Sequence, residues 1–288
     1  MPGRKTSLRK RGSAAVAIAM LAAGCGSRGE GNYADVNGLK MYYEIHGAGQ
    51  PLVLLHGGGS TITTTFGRIL PLLAKTRQVI AIEQQGHGHT ADIDRPFTFE
   101  QMADDTAALV RHLKIERADF FGHSNGGNIA LQVGMRHPGL VRKLIAASSM
   151  YKRDGLPAAF WESMRQASLN DMPEGLKEAY RKTSPHPERL QSFHDKSVKR
   201  MLDFQDWPAD AMRSIAAPTL IMTGDADIVR PEHAVEMFRL LPHARLAIFP
   251  SGHGEFIGES IAGGPPGNLH EQAASIIESF LQSAMPGE

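Results

Sequence analysis

The 288-residue chain has one cysteine, Cys25, so no disulfide can form within it and its core must be held by packing. Net charge is equally scarce, with 31 Lys+Arg against 30 Asp+Glu. Five of those basic residues lie in positions 1–24, which hold no acid, so the rest carries 26 basic against 30 acidic side chains, a formal −4. A body of that sign offers no electrostatic reason to bind nucleic acid. The apolar run Ala14 to Ala23 is too short to span a bilayer as a permanent helix. No lysine follows the glycines at 57–59 at phosphate-loop spacing, and the dinucleotide pattern with its later acid is missing, which argues against a nucleotide cradle. There is no internal repeat. What is present is 42% hydrophobic content over a length that can bury a full core, and one large domain is expected.

Arg4, Lys5, Arg9, Lys10 and Arg11 precede the apolar run, the layout of an export signal. Leu21-Ala22-Ala23-Gly24-Cys25 resembles a bacterial lipobox, whose cysteine becomes the lipidated first residue of the mature protein. Here the leucine lies four places before the cysteine rather than three. Residues 1–24 are expected to be a signal peptide and 25–32 a tether. The protein is then expected in the bacterial cell envelope, anchored to the membrane through Cys25, or secreted after ordinary cleavage.

Downstream, strand and helix patterns alternate. Tyr33–Val36 and Leu39–Ile45 flank Asn37-Gly38, a two-residue hairpin signal. Pro51–Leu55 is a continuous apolar run, as in a strand buried on both faces. A helix is expected over Phe66–Ala74 and a strand over Gln78–Ile82. Phe99–Leu113 has helical spacing, with Thr98 able to cap its start and Gln101 three residues on. Further strands are expected at Ala118–Phe121, Val141–Ala147, Pro218–Met222 and Ala244–Phe249. Helices are expected after Ser124, over Pro231–Leu241 and over Leu269–Leu281. Between Tyr151 and Ser214 the pattern changes to short, proline-broken helices. Such alternation specifies a mostly parallel, doubly wound α/β sheet, with ligands bound beyond the carboxyl ends of its strands.

Several glycine-rich turns fall at those ends. Gly122-His123-Ser124-Asn125-Gly126 joins a strand to a helix, a turn so tight that the outer positions must be nearly free of side chain. Its serine would stand clear of the sheet, facing a helix N-terminus. A serine hydroxyl needs a base during attack, and histidine, with a pKa of about 6.5, does this best when a buried carboxylate orients it. Gly224-Asp225-Ala226-Asp227 and Ser251-Gly252-His253 follow later strands, giving the order serine, acid, histidine. Both Asp225 and Asp227 are candidates for the acid. His87-Gly88-His89 lacks the further ligands of a zinc site, and no metal or organic cofactor is implied.

From Tyr33 onward the chain resembles the α/β-hydrolases of the esterase, lactonase and carbon–carbon hydrolase group. The resemblance rests on His56-Gly57-Gly58-Gly59, Gly86-His87-Gly88, the Ser124 turn, Gly224-Asp225-Ala226-Asp227 and Ser251-Gly252-His253, in family order. It implies an α/β-hydrolase core at 33–150 and 215–288, a helical cap at 151–214, and a triad of Ser124, Asp227 and His253. It selects Asp227 over Asp225, because the family's acid lies three residues after the glycine. It also implies oxyanion donors at the amides of Asn125 and Gly58, worth about 3–4 kcal/mol each. Gly59 is a possible third donor and substrate contact, and His123, beside the nucleophile, another contact. Phe160, Trp161, Met164, Leu169, Met172, Phe193, Met201, Phe204 and Trp207 could wall an apolar pocket. The expected activity is hydrolysis of a small to medium apolar ester or lactone. Alternatives are carbon–carbon hydrolysis or perhydrolysis by the same triad, and a non-catalytic binding lipoprotein on the same fold.

Overall fold

The computed structural model describes residues 31–260 and 267–284. The expectations for residues 1–24 and for Cys25 lie outside them. Among the described residues, eight strands form one sheet in the order β1-β2-β4-β3-β5-β6-β7-β8. The strands are β1 Gly31–Val36, β2 Leu39–His46, β3 Gln50–Leu55, β4 Arg77–Ile82, β5 Ala118–His123, β6 Val141–Ala147, β7 Thr219–Gly224 and β8 Ala244–Phe249. The β1–β2 and β2–β4 pairs are antiparallel and every other pair is parallel. The β1–β2 hairpin turns through Asn37 and Gly38, both at positive φ (50° and 78°), the backbone that such two-residue turns demand.

Alternation along the central strands builds a core on each face. Val53, Leu55, Ile80 and Ile82 pack in one apolar cluster, and Leu52, Leu54, Val79 and Ala81 in the other. All eight are fully buried, each of the larger ones contributing about 1.5–3 kcal/mol. Helices α3 (Phe99–His112) and α4 (Asn125–Arg136) cover the first face, while α1 (Ile62–Phe66), α2 (Leu70–Leu73) and the C-terminal α10 (Leu269–Gln282) cover the second. Thr98 caps α3 by accepting from the Gln101 amide at 3.0 Å.

Two expectations need correction. The helix expected over 66–74 is instead α1 and α2, because Gly67 ends the first and Pro71, which has no amide to donate, sits at the start of the second. The first strand begins at Gly31 rather than Tyr33, since Gly31 and Asn32 pair with Glu44 and Tyr43.

Between β6 and β7 the chain makes α5 (Ala158–Gln166), α6 (Glu174–Thr183), α7 (Leu190–Asp203) and α8 (Ala209–Arg213). Pro157, Pro173 and Pro208 stand immediately before α5, α6 and α8, where a missing amide costs nothing. Because β6 and β7 are parallel neighbours, this excursion leaves from the carboxyl edge of the sheet. Helix α9 (Pro231–Leu240) then links β7 to β8. Among the described residues, no helix is long and apolar enough to cross a membrane.

Candidate active site

Parallel pairing of β3, β5, β7 and β8 brings the turns after them to one edge of the sheet. The turn after β5 is the tightest. A Cβ on Gly122 would lie 1.9 Å from the Gly126 carbonyl oxygen, and one on Gly126 1.9 Å from that of Leu55. Between them Ser124 takes φ 54° and ψ −121°, a strained conformation for a residue with a side chain. Its amide donates to the Ala147 carbonyl at 2.8 Å, anchoring the strained residue to β6.

His253, in the turn after β8, places Nε2 3.1 Å from Ser124 Oγ and Nδ1 2.7 Å from Asp227 Oδ1. The Asp227 side chain is fully buried. Its Oδ1 also accepts from the Val229 amide at 3.0 Å, and its Oδ2 from the hydroxyls of Ser148 (2.5 Å) and Thr223 (3.3 Å). Burial works to raise the Asp227 carboxyl, but the bond and charge of His253, with the Ser148 hydroxyl and the Val229 amide, bring it down to about 2. Burial works to lower the His253 imidazole, yet the Asp227 bond and charge and the charge of Glu259 carry it above the ordinary histidine value of 6.5. Asp225 is elsewhere: its Oδ1 accepts the Ser251 amide at 3.0 Å and so shapes the histidine turn.

The loop after β3 supplies amides. Gly57 donates to Thr65 Oγ1, Ser60 to the Gly57 carbonyl, and Gly59 to His87 Nε2 at 3.3 Å. The Gly58 amide donates to no protein acceptor among the described residues, and Gly58 lines the cavity beside Ser124. Asn125 opens α4, so its amide is one of those a helix leaves without an internal acceptor. Gly58 and Asn125 are therefore free to donate to a group bound beside Ser124. Gly59 is not, because its amide is taken by His87, although its backbone lines the cavity. His56 and His87 hold this loop as neutral rings. His56 Nε2 accepts the Gln84 amide and its Nδ1 faces the Gly57 carbonyl, and His87 Nδ1 faces that of Gln85. Burial holds both below their usual range.

A cavity of about 680 Å³ opens over Ser124, His253, Gly58 and Asn125. Phe160, Met164, Met172, Phe193 and Met201 from the β6–β7 excursion contribute to its wall. Four of the residues expected there do not. Trp161 is buried, donates Nε1 to the Arg153 carbonyl at 2.8 Å and is covered by the Arg153 guanidinium. Phe204 and Trp207 pack edge-on against Phe99, and Leu169 packs into the core cluster. His123 also differs from expectation. It is fully buried behind the turn, its ring centroid 4.9 Å from that of His253, with neither nitrogen hydrogen-bonded among the described residues, and burial and the nearby His253 keep it neutral.

Three residues at the site were missed in the sequence. Ser148 follows β6 directly, and its place at a strand's carboxyl end was the available signal. Arg200 lies on the α7 face that carries Phe193, Ser197 and Met201, a helical spacing that could have marked it. Glu259 has no local signal. It is nearly buried, accepts from Ser60 and Thr65, and lies 3.8 Å from His123. Burial pushes its carboxyl up, against the charge of His253.

Metal-ligating side chains gather at Asp154, His233 and Glu236, with one candidate atom each within 4.8 Å of the others. However, His233 Nε2 accepts the Tyr151 amide at 3.2 Å, so the neutral ring carries its proton on Nδ1, the atom facing the carboxylates. Glu236 is already bonded to the Tyr151 hydroxyl and Lys152. His233 and Glu236 thus belong to a hydrogen-bonded cluster with Tyr151 and Lys152. His87 and His89 do not pair as ligands either, since His89 Nδ1 lies 2.8 Å from Glu83.

The alpha/beta hydrolase fold family matches residues 50–192. The AB hydrolase superfamily protein YisY of Bacillus subtilis is 30% identical over 277 residues, covering 84% of this chain and 96% of that protein. The 2-hydroxymuconate semialdehyde hydrolase of Pseudomonas sp. (strain CF600) is 29% identical over 234 residues, covering 74% and 83%. Among solved structures, the enol-lactonase from Burkholderia xenovorans LB400 superposes with a TM-score of 0.69 at 21% identity, covering 88% of this chain and all of that one (100%). With its relatives and its sheet in agreement, the chain belongs to the alpha/beta hydrolase fold family and is an enzyme of that family.

Proposed function

We propose that the chain is a serine hydrolase that cleaves a carboxylic ester or lactone through an acyl-enzyme. The observation that carries this is the relay Ser124 Oγ–His253 Nε2–Asp227 Oδ1, at 3.1 and 2.7 Å. Ser124 attacks the carbonyl while His253 takes its proton. Asp227 holds the ring and stabilises its cation. The amides of Gly58 and Asn125 receive the oxyanion, His253 protonates the leaving alkoxide, and water activated by the same ring releases the acid. The methionine- and phenylalanine-rich wall favours an apolar portion of substrate.

A fluorophosphonate probe with intact-mass and peptide analysis tests this. One adduct on Ser124, absent in Ser124→Ala, is expected, with ester turnover falling by several orders of magnitude in that variant. Near-normal turnover by Ser124→Ala would overturn the reading. Folded protein that takes no adduct on Ser124 would likewise count against it.

A second reading keeps the relay and changes the bond to carbon–carbon. It is supported by relatives named as hydrolases of 2-hydroxymuconate semialdehyde and, at 28% identity, of 2-hydroxy-6-oxo-2,4-heptadienoate. A panel of aryl esters, lactones and vinylogous diketones distinguishes the two by which class gives the highest kcat/KM. Export and lipid attachment at Cys25 complete the proposal, resting on the basic and then apolar residues before it. Metabolic labelling with a fatty acid, lost in Cys25→Ser, tests them.

A further inference from the structure

A carbonyl attacked by Ser124 carries two substituents, and two different cavities stand open to them. Besides the cavity of about 680 Å³, a second one of about 290 Å³ opens on Ser124 and His253. Gly58, Ser124, Leu176 and His253 line both, so the Ser124 hydroxyl stands where the two meet. Methionines and phenylalanines wall the larger one. The smaller one adds Gly57, Ser60 and Glu259, and Leu176 is its one apolar side chain among the described residues.

Glu259 gives the small cavity its chemistry. Its side chain is 9% exposed, so the carboxyl is nearly withdrawn from bulk water. Oε1 receives the hydroxyls of Ser60 (3.3 Å) and Thr65 (3.2 Å), whereas Oε2 has no hydrogen-bond partner among the described residues. A withdrawn oxygen left without a partner is costly. A methyl built on Gly57 would lie 3.5 Å from Oε1 and 3.6 Å from Ser124 Cβ, and one on Gly254 would lie 2.5 Å from Oε2. The carboxyl thus sits against the backbone beside both Ser124 and His253. A hydroxyl suits Oε2 best, since it donates to a carboxylate and accepts from a carboxylic acid. An ammonium would stand beside the imidazolium formed on His253 during attack, and a carboxylate would face Glu259, each a like-charge encounter.

We propose that the small cavity binds the alcohol portion of the ester, and that this portion is a short diol or polyol whose free hydroxyl bonds Glu259 Oε2. The apolar acyl portion then lies in the larger cavity. This rests on the serine hydrolase reading and adds to it the chemical class of the leaving group.

The test compares 2-hydroxyethyl pentanoate with 2-fluoroethyl pentanoate, which has the same number of heavy atoms and no donor. Fluorine withdraws electrons more strongly, so intrinsic reactivity favours the fluoro ester and a preference for the hydroxy ester reports the bond. The wild type is expected to favour the hydroxy ester in kcat/KM by at least about fivefold, the scale of one hydrogen bond. In Glu259→Leu the ratio should fall to one or below, and in Glu259→Gln, which keeps a polar side chain of the same shape, it should survive in part. Taking the ratio within each protein cancels any general loss of activity in the variants. Should Glu259→Leu fail to fold, the wild-type ratio still decides, because equal use of the two esters, or a preference for the fluoro ester, overturns the subsite. A ratio unchanged in folded Glu259→Leu overturns it as well. In either case cleavage of 4-nitrophenyl pentanoate, with an adduct of fluorophosphonate on Ser124, leaves the hydrolase reading standing. If no ester is cleaved and Ser124 takes no adduct, the reading and the subsite fall together.

Discussion

The Ser148 hydroxyl donates to Asp227 Oδ2 at 2.5 Å while the other oxygen of that carboxylate faces His253 at 2.7 Å. Ser148 itself sits at φ 51°, held by its amide bond to the Met222 carbonyl at 2.8 Å, so β6 and β7 together aim the hydroxyl. Removing it leaves a buried carboxylate oxygen short of its strongest neutral donor. Ser148→Ala is therefore expected to lower kcat by roughly tenfold, about 1–1.5 kcal/mol, while Ser124 still takes a fluorophosphonate. Stopped-flow measurement of acylation checks this, and an unchanged rate would count against the aiming role.

The two aspartates of the 224–227 turn should separate cleanly. Asp227→Asn removes the charge that holds the imidazolium and is expected to cut kcat by about 10⁴-fold at neutral pH. Asp225→Asn weakens only the bond to the Ser251 amide, 26 residues along the chain. Its main effect should be on stability, about 1 kcal/mol by chemical denaturation, with kcat changed far less.

In the proposed mechanism His253 must be neutral to act as base, and the Asp227 and Glu259 charges overcome burial to raise its pKa. Activity should therefore be lost as pH falls through a value above 6.5, the ordinary histidine figure. Glu259→Gln removes one of the raising charges, so the acidic limb of kcat/KM should move to lower pH in that variant. Full pH–rate profiles of both proteins give the comparison, and coincident limbs would exclude an influence of Glu259.

Gly126→Ala tests the turn itself. The added carbon would meet the Leu55 carbonyl at 1.9 Å and that of His56 at 2.7 Å, backbone atoms that cannot rotate away. A loss of about 3 kcal/mol or more is expected, read as a lower denaturation midpoint or failure to fold. Gly139→Ala is the control, because nothing lies within 4 Å of its added carbon.

Local rules made much of the fold legible. The Asn37-Gly38 hairpin, the doubly buried strand at Leu52–Leu55 and the capped helix after Thr98 each depend on neighbours a few residues away. The helix expected over 66–74 is broken on equally local grounds, since Gly67 ends one helix and Pro71 starts the next despite the continuous apolar run. Trp161 and His123 misled for a different reason. A large aromatic and a histidine next to Ser124 look like substrate contacts, and which way they face depends on packing partners far along the chain.

Sequence alone determined the order of elements and the residue types at each strand end, because strand periodicity, turn chemistry and glycine's small size act over short range. Tertiary structure decided which of those residues meet. Ser124 and His253 are 129 positions apart, Ser148 and Asp227 79 apart. Whether each oxygen of Glu259 has a partner is likewise set by which side chains from other elements pack around it. Compensation of a buried charge is a property of three-dimensional surroundings, and no pattern along the chain encodes it locally.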